Sequence, residues 1–240
     1  MLNIEVDNLD WQQALAQFKT ARFIVTPNID HLYNLRMNEA FYRVYKQADL
    51  VLCDSKILSV LSRYFFSSAL QQIAGSDYFP AVCRHYRNDP DVRIFLLGGT
   101  TPEHSRRAYE GLKRKYNAPV VGYYSPSFGF EHDPAQIEDI IAQVEASGAT
   151  AVAVGLGSPK QELLIELLMA RGLKVNTYMA IGATIDFESG LVTRAPKVFT
   201  RMGLEWFYRF VQEPKRLFRR YFVKDPMVLF WIVRQSRLFA

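Results

Sequence analysis

Six short runs rich in β-branched and aromatic residues set the architecture of this chain more firmly than anything else in it. They are Phe23–Thr26, Leu50–Cys53, Val92–Leu97, Val120–Tyr124, Ala151–Val154 and Val175–Ile181. Stretches of ~15 residues with helical periodicity separate most of them. Leu32, Leu35, Phe41, Val44 and Tyr45 form one such stretch, and Ile137, Ile140, Ile141 and Val144 another. The alternation predicts an α/β protein, with a mostly parallel sheet and helices on both faces. Ligands of such sheets bind outside the carboxyl ends of the strands. The residues just after each run are therefore the ones to read for chemistry.

Thr26, Pro27 and Asn28 follow the first run, and Asp54 and Ser55 the second. A carboxylate at the end of a buried strand is a candidate general base, although Asp54 or Ser55 would serve equally as a helix N-cap. Gly98 and Gly99 follow the third run and can form an ordinary turn or cradle a diphosphate. The fifth run leads into Gly155-Leu156-Gly157-Ser158-Pro159-Lys160-Gln161-Glu162. Glycines at a strand-to-helix turn let backbone N–H groups approach an anion. Pro159 suits a first helical turn, and Gln161 and Glu162 would reach the rim, where they can recognise hydroxyls. The segment is not a Walker A loop, and without a third glycine it is not a dinucleotide fingerprint. Asp186, near the end of the last run, can face the same crevice or serve a structural role. Asp89-Pro90-Asp91 resembles a metal-binding D-x-D but precedes a strand, so it reads as a turn on the far side of the sheet. Cys53 reads as a buried small hydrophobe rather than a nucleophile.

Composition sets the outer limits. About half the residues are apolar (49 %), so the chain can bury a core. Two cysteines exclude a disulfide scaffold, and the four scattered histidines show no zinc spacing. No metal or cofactor is expected. The acidic start MLNIEVDNLDW lacks the apolar segment of a secretory leader, and no apolar run approaches the ~20 residues of a membrane span.

The charge is unevenly spread. Residues 194–240 carry eleven Lys/Arg against three Asp/Glu, a balance of +8, whereas residues 1–193 balance at −3. The strand rhythm also stops near Arg194. We read 1–193 as the catalytic core and 194–240 as a helical appendage punctuated by Pro196, Pro214 and Pro226 into three short helical stretches. Within it, Arg209, Arg216, Arg219 and Arg220 offer guanidinium forks suited to phosphate. Aromatic residues and the short apolar run Met227–Val233 accompany them, a combination that fits a helix lying in a membrane interface. Packing on the core or a second subunit is the plain alternative, and base stacking on nucleic acid a third; the apolar run favours the membrane. A non-catalytic basic membrane- or nucleic-acid-binding protein is the rival from another functional class.

Taken together, these residues resemble the WecG/TagA/CpsF glycosyltransferases, family 26 of the sugar transferases. The matching blocks are Thr26-Pro27-Asn28, Ala48-Asp49-Leu50-Val51 leading to Asp54, Ala74-Gly75-Ser76-Asp77, Phe95–Gly99 and Gly155–Glu162. The most specific block is the last, with Arg194-Ala195-Pro196, Gly203-Leu204-Glu205-Trp206, Tyr208-Arg209, Glu213-Pro214, Arg216-Leu217 and Arg219-Arg220. The resemblance implies a Rossmann-like core with a C-terminal membrane-binding appendage, peripheral on the cytoplasmic face of a bacterial inner membrane. It implies transfer of a sugar, with inversion and without metal, from a UDP-sugar to a polyprenyl-diphosphate-linked sugar in cell-surface polysaccharide synthesis. No nucleic-acid partner is implied, and a homo-oligomer is compatible with it. On this reading Asp54 is the base, and Thr26 and Asn28 orient the acceptor. Gly98, Gly99, Gly157, Gln161, Glu162 and Asp186 hold the donor. Arg194, Arg209, Arg216, Arg219 and Arg220 serve the acceptor diphosphate and the membrane. Three positions depart from the family pattern: Cys53 and Ser55, since Cys53-Asp54-Ser55 stands where Pro-Asp-Gly is usual, and Gln72, where Arg is common.

Overall fold

A computed structural model describes residues 4–66, 69–196, 199 and 205–236. Its strands are β1 (Phe23–Val25), β2 (Leu50–Val51), β3 (Ile94–Gly98), β4 (Val120–Tyr124), β5 (Ala151–Gly155) and β6 (Thr177–Ala180). They form one sheet in the order β2-β1-β6-β5-β3-β4, with every pairing parallel. Each strand lies within one of the six predicted runs but for Gly98 and Gly155, each one residue past its run. Successive side chains point to opposite faces, and both faces are buried, as a parallel sheet requires. Phe23, Val25, Phe95, Leu97, Val152, Val154 and Tyr178 enter one core. Ile24, Leu50, Ile94, Leu96, Ala153 and Met179 enter the other.

The first core is roofed by α2 (Ile29–Met37), α3 (Glu39–Tyr45), α4 (Lys56–Phe66), α7 (Pro134–Ser147) and α8 (Lys160–Ala170). The second is covered by α1 (Trp11–Ala16), α5 (Gly75–His85), α6 (Pro102–Tyr116) and α9 (Thr184–Glu188). The helical stretch read from Leu32 to Tyr45 is in fact two helices. They break at Asn38, whose backbone is extended and whose side chain accepts from Phe41 N at 3.0 Å. A short amide at that position stabilises a new start better than continued helix.

Connections decide where the sheet opens. The helix after β1 lies on the first face and the helix after β6 on the second, although the two strands are neighbours. The same holds for β3, followed by α6, and β5, followed by α8. Each reversal leaves a crevice at the carboxyl ends, where side chains and backbone are not covered by a crossing helix.

The C-terminal helices are Glu205–Gln212, Pro214–Arg219 and a final helix, Asp225–Ser236. The last two are joined by a π-helical turn, Arg220–Lys224, and helices begin at Pro214 and at Asp225-Pro226, as the prolines predict. A widened turn accommodates a proline that has no N–H to donate. The apolar run Met227–Val233 divides by helical period. Val228 and Ile232 are fully buried in the first core, and Trp231 stacks on Tyr33 with ring centroids 5.9 Å apart. Arg36 lies over the same indole, and Lys224 pairs with Asp30 at 3.2 Å. The final helix is thus packed on α2 and α4 of the core. Among the described residues, no helix is long and apolar enough to cross a membrane.

Candidate active site

Asp54 stands just past β2, and its side chain accepts from Gly75 N, the first residue of α5, at 3.0 Å. Its own N–H donates to Pro27 O, and its carbonyl accepts from Gln72 Nε2 at 2.9 Å. The departure at residue 72 therefore touches the candidate base directly. The N-cap expected of Asp54 is divided: Ser55 caps α4 through Leu58 N, and Asp54 faces the start of α5. Gly75 is required for the approach, because a Cβ there would lie 2.7 Å from Thr26 Oγ1. Cys53 is buried, and burial pushes its thiol up to about 12, with Asp54 adding to the effect. It is a packing residue, as read from the sequence.

Asn28 caps α2, accepting from His31 N at 3.3 Å, and also accepts from Arg220 Nη2 at 3.3 Å. Thr26, Asn28, Asp54 and Ser76 line a cleft with His31, Gln161 and the loop Ile181–Thr184. This is the crevice between β1 and β6. His31 is buried and shares a 3.0 Å hydrogen bond between Nδ1 and Tyr45 Oη. Burial, helped by the Arg220 charge, lowers its pKa to about 4, so the ring is neutral at ordinary pH.

The glycines of the rim separate into two kinds. Gly98 has φ +128°, and a Cβ there would overlap the carbonyl oxygen of Gly155. Ser105 also hydrogen-bonds to the Gly98 carbonyl. A Cβ on Gly155 would in turn meet Gly182 O at 2.8 Å, so these glycines let the ends of β3, β5 and β6 come together. Gly99 is similarly enclosed by Ser105. Gly157 differs: its φ is +77°, and nothing lies within 4 Å of a Cβ. Gly182, with φ +55°, is open in the same way.

Gln161 lines the cleft as expected, whereas Glu162 does not project into it. Both are buried in the first turn of α8, and Pro159 sits one position outside it, at the N-cap. Gln161 Oε1 accepts from Gly182 N at 3.0 Å, and its Nε2 donates to Glu162 Oε1 at 2.9 Å. Gln161 thus reaches the cleft and Glu162 stands behind it. Glu162 Oε2 has no hydrogen-bond partner among the described residues. Burial pushes its carboxyl up to about 7, against the pull of the Gln161 bond. Asp186 accepts from Thr100 N at 2.7 Å and so ties α9 to the loop after β3. On the opposite side of the sheet, Asp89 and Asp91 pair with Lys19, as expected of a turn. Among the described residues no cluster of three or more His, Cys, Asp or Glu is arranged to hold a metal ion.

A second, wider part of the cleft shares Asn28, Asp54 and Ser76 with the first. Its remaining wall includes Lys56, Arg194, Trp206, Arg220, Tyr221 and Asp225. Arg194 donates to Asp77 Oδ1 at 2.8 Å and to Ser76 Oγ at 2.9 Å. Arg220 Nε is buried without a hydrogen-bond partner among the described residues. Burial raises the Asp225 carboxyl to about 6. Arg219 is exposed and away from this wall. Arg209 and Arg216 lie in the helices Glu205–Gln212 and Pro214–Arg219, and their side chains are outside the described residues. Sequence reasoning passed over Gly75, Ser76, His31 and Gly182 as site residues. The Ala74–Asp77 block was the available signal for the first two.

The chain is thus an α/β protein whose parallel sheet opens at its switch points, with a carboxylate at a helix start and arginines across a shared cleft. The model of the Glycosyl transferase WecG/TagA/CpsF family matches residues 1–239, and the chain belongs to that family. It is a glycosyltransferase of cell-surface polysaccharide biosynthesis.

Proposed function

We propose that this enzyme moves a sugar from a UDP-sugar to a polyprenyl-diphosphate-linked sugar with inversion, as a peripheral protein on the cytoplasmic face of the membrane. The observation that carries the reading is the shared cleft, in which Asp54 and Asn28 from the core face Arg194 and Arg220 from the C-terminal segment. Asp54 takes the proton of the acceptor hydroxyl as its oxygen bonds to the anomeric carbon and the bond to UDP breaks. Thr26 and Asn28 orient the acceptor. Gly157, Gln161 and Gly182 meet the donor, with Glu162 supporting Gln161 from behind. No metal is required, because backbone N–H groups and arginines answer the charge that develops on the leaving diphosphate. Arg220, bonded to Asn28, is placed to serve the acceptor's diphosphate.

Asp54→Asn tests this reading. An asparagine retains an oxygen to accept from Gly75 N, so folding and UDP binding should persist. Loss of a general base costs ~10²–10⁴-fold in turnover. Release of UDP in the presence of a lipid-linked sugar measures it. A variant that keeps more than about a tenth of wild-type turnover, well above the loss expected of a base, removes Asp54 from that role.

A further inference from the structure

Helix α4 leaves one side uncovered. Leu58 and Ser62 are buried against the core, whereas Lys56, Val60, Arg63 and Tyr64 are exposed. Positions at these spacings share one helix face. Tyr64 is 77 % exposed, a large apolar area to leave in water. The final helix touches α4 and repeats the pattern, with Val228 and Ile232 inward and Met227, Phe230 and Arg234 outward. Neither outward stripe carries a carboxylate. Aromatic and aliphatic side chains interspersed with cations are the composition that settles at the headgroup boundary of an anionic bilayer. A second copy of the chain fits less well. A two-fold contact would set each basic stripe against its own copy, with no carboxylate on the face to neutralise it.

The position of α4 matters as much as its composition. Lys56 and Ile57, in its first turn, line the same cleft as Asp54 and Arg220. We propose that α4 is part of the membrane-docking surface, its Val60 and Tyr64 stripe seated in an anionic bilayer beside the final helix. The mouth of the cleft then opens at headgroup depth, where a lipid-linked diphosphate lies. The proposal rests on the reading of the enzyme as membrane-acting and adds to it an element of the core.

An environment-sensitive nitrobenzoxadiazole label at Tyr64→Cys reads the depth directly, since Cys53 and Cys83 are both buried. Full-length protein is mixed with vesicles of phosphatidylglycerol and phosphatidylethanolamine, or of phosphatidylcholine alone. The label should shift to the blue with the anionic vesicles only. Val60→Ser with Tyr64→Ser should weaken vesicle partition roughly tenfold, with thermal unfolding unchanged because both sites are exposed. Phe128→Ser, at an exposed residue on the loop after β4, should change nothing. If Phe218→Ser with Phe222→Ser abolishes partition while the label at residue 64 stays in water, α4 is not in the bilayer and the appendage alone binds. If the unmodified chain does not partition at all, the membrane reading and this proposal both fail. A blue shift that grows with protein concentration in the absence of lipid would assign the surface to a second copy and overturn the proposal.

Discussion

Glu162 offers a test of the site that needs no substrate. Its carboxyl is buried in the first turn of α8, with one oxygen bonded to Gln161 and the other without a hydrogen-bond partner among the described residues. Desolvation disfavours the ionised form and raises the pKa from 4.5 to about 7. The unfolded chain releases this proton near its ordinary value, while the folded protein holds it to about 7. Across that window the unfolded state binds fewer protons, so stability falls as pH rises and levels off above the folded pKa. At about 1.4 kcal/mol per pKa unit the full loss is about 3 kcal/mol. Glu162→Gln keeps an acceptor for Gln161 Nε2 and cannot ionise. The variant should match wild type within about 1 kcal/mol near pH 5 and be about 3 kcal/mol more stable at pH 8. For a domain of this size that corresponds to roughly 6–12 °C in Tm. Asp225, raised to about 6, and His31, lowered to about 4, titrate in both proteins and cancel in the difference. Urea midpoints measured from pH 5 to 8 decide the matter. Parallel wild-type and variant profiles would show that the carboxyl is ionised and solvated in the fold, and the reasoning would be wrong.

Two further predictions concern the appendage and the chemistry. Ile232→Ala, in the buried stripe of the final helix, should destabilise the whole domain by ~2–5 kcal/mol in chemical denaturation, and a loss below about 1 kcal/mol would mean that this helix is not part of the core. Millimolar EDTA should leave sugar transfer unchanged, and inhibition reversed by magnesium or manganese would replace the metal-free account of the leaving diphosphate.

Much of the fold was legible because it rests on short-range periodicity. A strand buried on both faces reads as a continuous apolar run, and all six runs became strands. The order in which they pair was not legible. Neighbours such as β1 and β6 are separated by most of the chain, and their pairing depends on which face each connecting helix takes. The break at Asn38 was missed for a related reason. The apolar period continues across it, and only the capping geometry of one side chain divides the stretch into two helices.

The site shows where reading residues after strands succeeds and where it fails. Thr26, Asn28 and Asp54 stand within three residues of the ends of β1 and β2, and the structure brings the three together in one cleft. The partner of Asp54, Gly75, lies 21 residues further on and reaches it only through the docking of α5. Glycines are harder to read. Gly98 and Gly99 can form a turn or cradle a diphosphate, and at Gly98 and Gly155 the missing side chain is taken up by contact between adjacent strands. The same residue type at Gly157 faces open space. A glycine after a strand therefore reports only that something comes close to the backbone. Whether that is a neighbouring strand or a substrate depends on the crossovers, because a ligand can approach only at the carboxyl end of a crevice that no helix covers. The appendage follows the same logic. The apolar run Met227–Val233 looked like one membrane-facing segment, yet a helix has two sides, and half of that run closes the core. What stays outward on the final helix, Met227, Phe230 and Arg234, lies beside the uncovered stripe of α4, so any surface it offers is shared with the core.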